Sequence, residues 1–225
     1  MSKVEVENGR RKVLVVDDHP IVRQGLTQLI GQEADMYVAG GAEDAAGALD
    51  AIEKLQPDIA LVDISLRETN GIELIKDIKI RHPRLPVLVL SMHQESFYAE
   101  RVLRAGARGY VTKEEATERL IQAIRQVLSG QVYLSDRMAS KMLSKLVEGR
   151  PGTDGMSIER LSDRELEVFE FIGHGLTTRQ ISQRLNRSIK TVESHRANIK
   201  RKLKLQNATE LLQYAVQWVQ SEKGR

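Results

Sequence analysis

Five residues in the first half of the chain are notable for where they fall. Asp17 and Asp18 end the apolar run Val13-Leu14-Val15-Val16, and Asp63 ends Ile59-Ala60-Leu61-Val62. Ser91 ends Val87–Leu90, and Lys113 follows Gly109-Tyr110-Val111-Thr112. Three carboxylates in one pocket repel one another and favour a divalent cation. Mg2+ suits them, because it takes oxygen ligands, keeps several waters and bridges carboxylates to phosphate. A hydroxyl and an ammonium beside such a site suit a phosphoryl group carried on a carboxylate. The metal and Lys113 offset the charge on its three equatorial oxygens, and in-line attack by an aspartate needs little else. Each residue alone has a plainer reading: a helix N-cap for Asp17-Asp18, a structural aspartate, a surface lysine. The joint order on four strand ends outweighs those readings.

A second set lies near the C-terminus. Ser188 caps a helix predicted to run to Leu203. Val192, Ile199 and Leu203 fall on its inner face. Lys190, Glu193, Ser194, Ala197, Lys200 and Arg201 fall on the outer one. A polar, mostly basic outer face suits a helix lying in the major groove of DNA. Lys and Arg at its edges neutralise phosphates, so affinity falls with salt. A basic solvated helix in a small bundle is the plainer alternative.

The elements that position these residues follow from hydrophobic spacing. Short runs at Val13–Val16, Tyr37–Ala39, Ile59–Val62, Val87–Leu90 and Gly109–Val111 alternate with segments of helical period. Five strands alternating with five helices predict a parallel sheet covered on both faces, with ligands beyond the carboxyl ends of its strands. A short amphipathic helix is predicted over Arg137–Val147, and Gly149–Gly155 reads as a flexible break. Beyond it no strand pattern appears. Ser162-Asp163-Arg164-Glu165 and Thr177-Thr178-Arg179-Gln180 are capping-box patterns that open helices ending near Gly173 and Leu185. Asn186-Arg187 makes a tight turn, and a last helix covers Ala208–Val219. The domains are therefore 12–130, a linker with a short helix over 131–157, and an all-α four-helix domain over 158–221.

Composition agrees. The 225 residues are 41% hydrophobic and 29% charged, enough to bury cores. No cysteine is present, which excludes disulfides, thiolate-metal sites and cysteine nucleophiles. Met1–Lys12 lacks the apolar stretch of a signal peptide, and no run approaches the roughly 20 residues that cross a bilayer. The protein is expected to be soluble and cytoplasmic, without membrane association. The net charge of +3 is uneven. Residues 1–130 carry 17 Lys and Arg against 20 Asp and Glu, and residues 156–225 carry 13 against 8. An acidic front and a basic back suggest two jobs, the second involving nucleic acid.

Residues 12–130 resemble a receiver domain of two-component response regulators, in the NarL/FixJ subfamily. The matching pieces are Val-Val-Asp17-Asp18-His19-Pro20, Pro57-Asp58-Ile-Ala-Leu-Val-Asp63, Asn70-Gly71, Val-Leu-Ser91 and Ala105-Gly106-Ala107-Arg108-Gly109-Tyr110-Val111-Thr112-Lys113. The resemblance implies a flavodoxin-like fold in which Asp63 takes a phosphoryl group from a sensor histidine kinase. It implies an Mg2+ site of Asp17, Asp18, Asp63 and the backbone carbonyl of Ser65. Ser91 becomes the switch hydroxyl, Tyr110 the rotating aromatic, and Lys113 the lysine that contacts the phosphoryl group. Many relatives have Pro-Gly four and five residues after the acceptor. Here Arg67 and Glu68 stand there, which allows the loop more movement and lets its charges alter metal affinity or phosphoryl lifetime. His19 reads as a cap or loop residue rather than a ligand or base, and His93 as a screen against the attacking water.

Leu161 to Val168, Gly175-Leu-Thr177, Ile181, Leu185, Ser188, Lys190-Thr191-Val192-Glu193-Ser194-His195, Ile199 and Lys202-Leu203 resemble the LuxR-type helix-turn-helix domain. That likeness makes Thr191, His195, Arg196, Lys200 and Lys202 contacts to the DNA backbone. It places Glu193, Ser194 and Ala197 where relatives read bases. Glu193 can accept from a cytosine amino group, and Ala197 can touch a thymine methyl. Arg187 replaces the usual apolar residue and is expected on phosphate. The implied function is phosphorylation-controlled transcription regulation, by a homodimer on paired half-sites of double-stranded DNA. The apolar face of Ala208–Val219 is the candidate dimer contact. An aspartate-based phosphohydrolase is the rival enzyme reading, but its second Asp would fall at Ser65. A module that never takes phosphate is opposed by the intact acidic set.

Overall fold

The computed structural model describes residues 9–66, 70–93, 95–148 and 158–223. Two compact units divide the chain, Met1–Ser144 and Lys145–Arg225.

The first unit is built on strands β1 (Arg11–Val16), β2 (Met36–Ala42), β3 (Ile59–Val62), β4 (Val87–Ser91) and β5 (Gly109–Thr112). All pairs are parallel, in the order β2-β1-β3-β4-β5. Helices α1 (Pro20–Gly31), α2 (Ala45–Leu55), α3 (Gly71–Arg81) and α4 (Glu95–Ala105) make the four crossovers, and α5 (Ala116–Leu128) follows β5. Alternate strand residues point to opposite faces. Val13, Val15, Ile59, Leu61, Leu88 and Leu90 form one core with Leu26 and Ile30 of α1 and with Leu120, Ile124 and Val127 of α5. Leu14, Val16, Ala60, Val62 and Val89 are equally buried outside that cluster, so they point to the other face. Burial on both faces explains why these runs are continuously apolar.

Two differences from the expected elements have simple causes. Strand β2 runs on through Gly40 and Gly41, residues that read as strand breakers. A Cβ on Gly40 would lie 2.5 Å from Leu55 Cδ1, so the bare backbone is what lets α2 approach. The segment after residue 130, expected as linker, stays with the first unit. Tyr133 donates its N–H to the Arg108 carbonyl and accepts from the Tyr110 N–H, forming a parallel bridge to Gly109. The short amphipathic helix is present as α6 (Asp136–Glu148), with Met138 buried. The expected break at Gly149–Gly155 and the Arg67-Glu68 pair lie outside the described residues.

The second unit contains a 3-10 turn at Ile158–Arg160, then α7 (Asp163–Gly173), α8 (Thr178–Arg184), α9 (Ile189–Leu203) and α10 (Ala208–Lys223). Both capping boxes form, from Ser162 with Glu165 and from Thr177 with Gln180. Asn186 and Lys204 take positive φ at the ends of α8 and α9. Leu166, Phe169, Ile181, Leu185, Val192, Ile199, Leu203, Leu211 and Ala215 are buried. Leu211, Ala215 and Val219 of α10 are therefore turned into this domain, and Val216 beside them is half-buried. Phe169 packs against Tyr214 and Trp218, with ring centroids 5.7 and 5.4 Å apart. A Cβ on Gly173 would meet the Ala215 carbonyl oxygen at 2.5 Å, which shows how closely α7 and α10 pack. Leu212 remains exposed. Among the described residues, no helix is long and apolar enough to cross a membrane.

Candidate functional sites: a carboxylate pocket and a basic helix

The sheet register assembles the first site. Val16 pairs with Val62, and the Asp63 N–H donates to the Val16 carbonyl at 2.9 Å, so Asp17 and Asp63 leave adjacent strand ends together. Ser91 pairs with Thr112, and the Lys113 N–H donates to the Ser91 carbonyl at 2.8 Å. The strand order reverses direction between β1 and β3, which opens a crevice at these carboxyl ends. Gly71, the first residue of α3, closes one wall. A Cβ there would stand 2.0 Å from the Asp63 carbonyl oxygen, so only glycine lets α3 start so near. Asn70 caps that helix by accepting from the Ile72 N–H at 2.8 Å.

Asp17, Asp63 and Ser91 are buried, and Asp18 is half-buried. The Lys113 ammonium lies 2.6 Å from Asp17 Oδ2 and 2.7 Å from Asp63 Oδ2. Burial pushes the Asp63 carboxyl above its ordinary range, and neighbouring Asp17 adds to this against the pull of Lys113. Burial opposes the charge on Lys113 too, but Asp63 and Asp17 outweigh it and hold the ammonium on. Carboxylate oxygens of Asp17, Asp18 and Asp63, with a nitrogen of His19, all lie within 4.8 Å of one another. This donor set is dominated by oxygen, and two of its carboxylates already share the Lys113 ammonium, so it fits a hard divalent ion.

His19 sits at the N-cap position of α1 without a side-chain cap bond. Its Nδ1 instead lies 2.7 Å from Asp18 Oδ1 and 3.2 Å from Asp17 Oδ1. The ring thus faces the acids, where the sequence favoured a cap or loop role over that of a ligand or base. Arg23, which sequence reasoning passed over, donates to the Asp17 carbonyl at 2.5 Å. Its position one turn into α1 was the available signal.

Ser91, His93 and Tyr110 form a connected group. Ser91 Oγ accepts from the His93 N–H at 3.3 Å, and the Tyr110 hydroxyl donates to the His93 carbonyl at 2.8 Å. Tyr110 is buried in this arrangement. The His93 ring lies against Tyr98, and its Nε2 is 2.9 Å from Ser65 Oγ. The Ser65 N–H donates to Asp63 Oδ1 at 3.2 Å, so His93 reaches the acceptor aspartate through one intervening residue.

In the second unit, α8, the turn at Asn186 and α9 form the helix-turn-helix. Ile189, Lys190, Glu193, Ser194, Ala197 and Arg201 are exposed along α9, and Thr191, Arg196 and Lys200 are half-buried. Glu193 accepts from the Thr178 hydroxyl at 2.9 Å. Two residues expected on DNA are turned toward α7. The Lys202 ammonium is 2.5 Å from Glu165 Oε2. Burial lowers the pKa of His195, Arg164 and Arg187 add to this, and Glu165 and Glu167 pull the other way. Glu165 is also penalised by burial, but Lys202 and the Ser162 N–H hold its carboxyl below the ordinary value.

Residues 13–125 match the response regulator receiver domain family, and residues 159–215 match the bacterial regulatory proteins of the luxR family. The oxygen regulatory protein NreC of Staphylococcus carnosus is 33% identical over 210 residues, covering 91% of this chain and 96% of its own. The transcriptional regulatory protein DegU of Brevibacillus brevis is 30% identical over 230 residues, covering 96% and 98%. A solved structure of the RcsB response regulator of Salmonella typhimurium superposes with a TM-score of 0.63 at 30% identity, covering 93% of this chain and 98% of that one. RcsB solved as a complex with DNA gives a TM-score of 0.59 at 30% identity, covering 92% and 98%.

Proposed function

The chain belongs to the two-component response regulators of the NarL/FixJ subfamily, with a receiver domain and a LuxR-type DNA-binding domain, and on that premise we propose that phosphorylation of Asp63 controls its grip on DNA. Residues 12–130 receive the phosphoryl group, 131–157 join the domains, and 158–221 bind DNA in the cytoplasm. The observation that carries this is the meeting of Asp17, Asp63 and Lys113 within 2.7 Å contacts at the ends of three strands.

The donor is a phosphohistidine on a sensor kinase. A carboxylate oxygen of Asp63 attacks phosphorus in line, the O–P bond forms, the P–N bond breaks, and the electron pair returns to the imidazole. Asp17, Asp18, Asp63 and the Ser65 carbonyl are the residues that would hold Mg2+, as receivers of this family generally do at their acidic pocket. Bound there, the ion offsets charge on the phosphoryl oxygens. Lys113 leaves its contact with Asp63 Oδ2 to pair with a phosphoryl oxygen. Ser91 turns its hydroxyl to another, and the Tyr110 side chain and α4–β5 face settle accordingly.

On DNA, Lys190, Thr191, Arg196 and Lys200 take the backbone, while Glu193, Ser194 and Ala197 face base edges. Lys202 and His195 divide their role between phosphate and α7. The phosphorylated chain acts as a homodimer on paired half-sites. The test is a phosphate-trapping gel after acetyl phosphate and Mg2+, with Asp63→Asn as control, followed by gel-shift titration with beryllofluoride. The expected result is one slow band lost in D63N, and tighter DNA binding with beryllofluoride. An unchanged DNA affinity overturns the switch.

A further inference from the structure

We infer that the Ser135 hydroxyl passes the receiver's state to the chain leaving it, through a clasp with Glu95 that is remade when Asp63 is modified; this rests on the phospho-switch reading above. Glu95 is the first residue of α4, two residues after His93. Its carboxylate accepts from the Ser135 N–H at 2.9 Å and also from the Ser135 hydroxyl. The same hydroxyl accepts from the Met138 N–H at 3.2 Å, and the Ser135 carbonyl accepts from the Ala139 N–H at 2.9 Å. One side chain therefore caps α6 and holds the start of α4. Two residues earlier, Tyr133 is laid along β5 by its bonds to Arg108 and Tyr110. Gly109 makes room for that bridge, since a Cβ there would meet the Tyr133 carbonyl oxygen at 2.8 Å.

The other end of this path is the pocket. His93 is tied by its N–H to Ser91 Oγ, by its carbonyl to the Tyr110 hydroxyl, and by its ring to Ser65 Oγ. When the Ser91 hydroxyl turns toward a phosphoryl oxygen, its bond from the His93 N–H is disturbed. The backbone at 93 then shifts with its bonds to Ser91 and Tyr110, and Glu95 follows two residues on. The 131–135 segment is held at two points, β5 and α4, and both move with the group that contacts Asp63. A short, doubly anchored connection transmits a small displacement that a flexible linker would absorb.

A purely structural clasp is the competing account, and it differs in one readout. Full-length wild type, Ser135→Ala, Glu95→Ala and Ser135→Thr are compared by hydrogen exchange over residues 133–142, with and without beryllofluoride and Mg2+. A duplex selected by the wild-type protein from a randomised library provides the DNA readout. In wild type, beryllofluoride changes protection over 133–142 and raises DNA affinity about tenfold, a usual size for coupling between sites. S135A and E95A still take phosphoryl from acetyl phosphate, but lose the protection change and bring the affinity ratio toward one. S135T keeps the N–H, the hydroxyl and the response. Variants that retain the wild-type ratio and protection change overturn the clasp. If the wild-type DNA affinity ratio is itself one, the phospho-switch reading fails. The exchange data then decide the clasp alone: a beryllofluoride effect abolished in E95A supports it, and no effect in wild type overturns it.

Discussion

In the carboxylate pocket the Lys113 ammonium is nearly sealed, its side chain 9% exposed and lodged between Asp17 and Asp63. Along α9, Lys190 and Arg201 stand in solvent beside neutral Ala197 and Ser194. One site stores its electrostatics inside the fold, and the other displays them. The difference follows from construction. The pocket draws side chains from four strand ends onto one spot, whereas α9 presents successive turns of a single helix. Removing a charge from the first should therefore disturb folding and chemistry together. Removing one from the second should change binding and leave the domain intact.

The sharpest way to break that contrast is Lys113→Met. It leaves Asp17 and Asp63 facing each other without a cation, and breaking a buried pair costs about 3 kcal/mol. Urea unfolding without Mg2+ should show that loss, and saturating Mg2+ should restore much of it. Equal losses in both conditions would separate the pocket from metal binding. Gly71→Ala comes next. Its methyl meets the Asp63 carbonyl, a backbone atom that cannot swing away. Overpacking of this kind costs about 2 kcal/mol, and it should slow labelling by acetyl phosphate as well as lower the urea midpoint.

On the displayed side, Lys190→Ala should weaken DNA binding across sequences and reduce the salt slope by about 1. Lys202→Ala should lower the melting temperature of the DNA-binding domain more than the salt slope, because it uncouples Glu165 from α9. A K202A salt slope as reduced as that of K190A would erase the distinction between the two lysines.

The smallest effect is on pH. His195 has its pKa lowered in the folded state, so the unfolded chain takes the proton first as pH falls through about 6.5. Stability is full above that value and declines below it. Glu165, held below its ordinary value, contributes stability that is lost at lower pH still, as pH falls through its folded value. Melting temperatures should therefore drop between pH 7 and 5, with a shallower slope in His195→Gln.

The strand ends, the acidic set and both capping boxes were legible in the chain because each rests on local pattern: apolar runs, side-chain reach and fixed spacings. What escaped depends on neighbours far away in sequence. Glu165, Glu167 and Glu170 are buried in α7, although carboxylates normally read as solvent-facing. Glu165 is paired with Lys202, 37 residues further along the chain. The bridge at Tyr133 depends on an empty edge beside β5, and no periodicity announces an edge. The inward face of α10 was visible as apolar, but its partner α7 was not. His19 was read by its position before a helix, and its ring found the acids instead.

The strand order has a consequence in time. The aspartates at 17 and 63 and the lysine at 113 enter the pocket from strands separated by crossover helices, with β5 at the sheet's edge. During synthesis the N-terminal part of a chain emerges first. Every acid of the pocket therefore leaves the ribosome well before residue 113, and the lysine is the last of these groups to become available. The pocket is thus complete in composition only once its edge strand has been made.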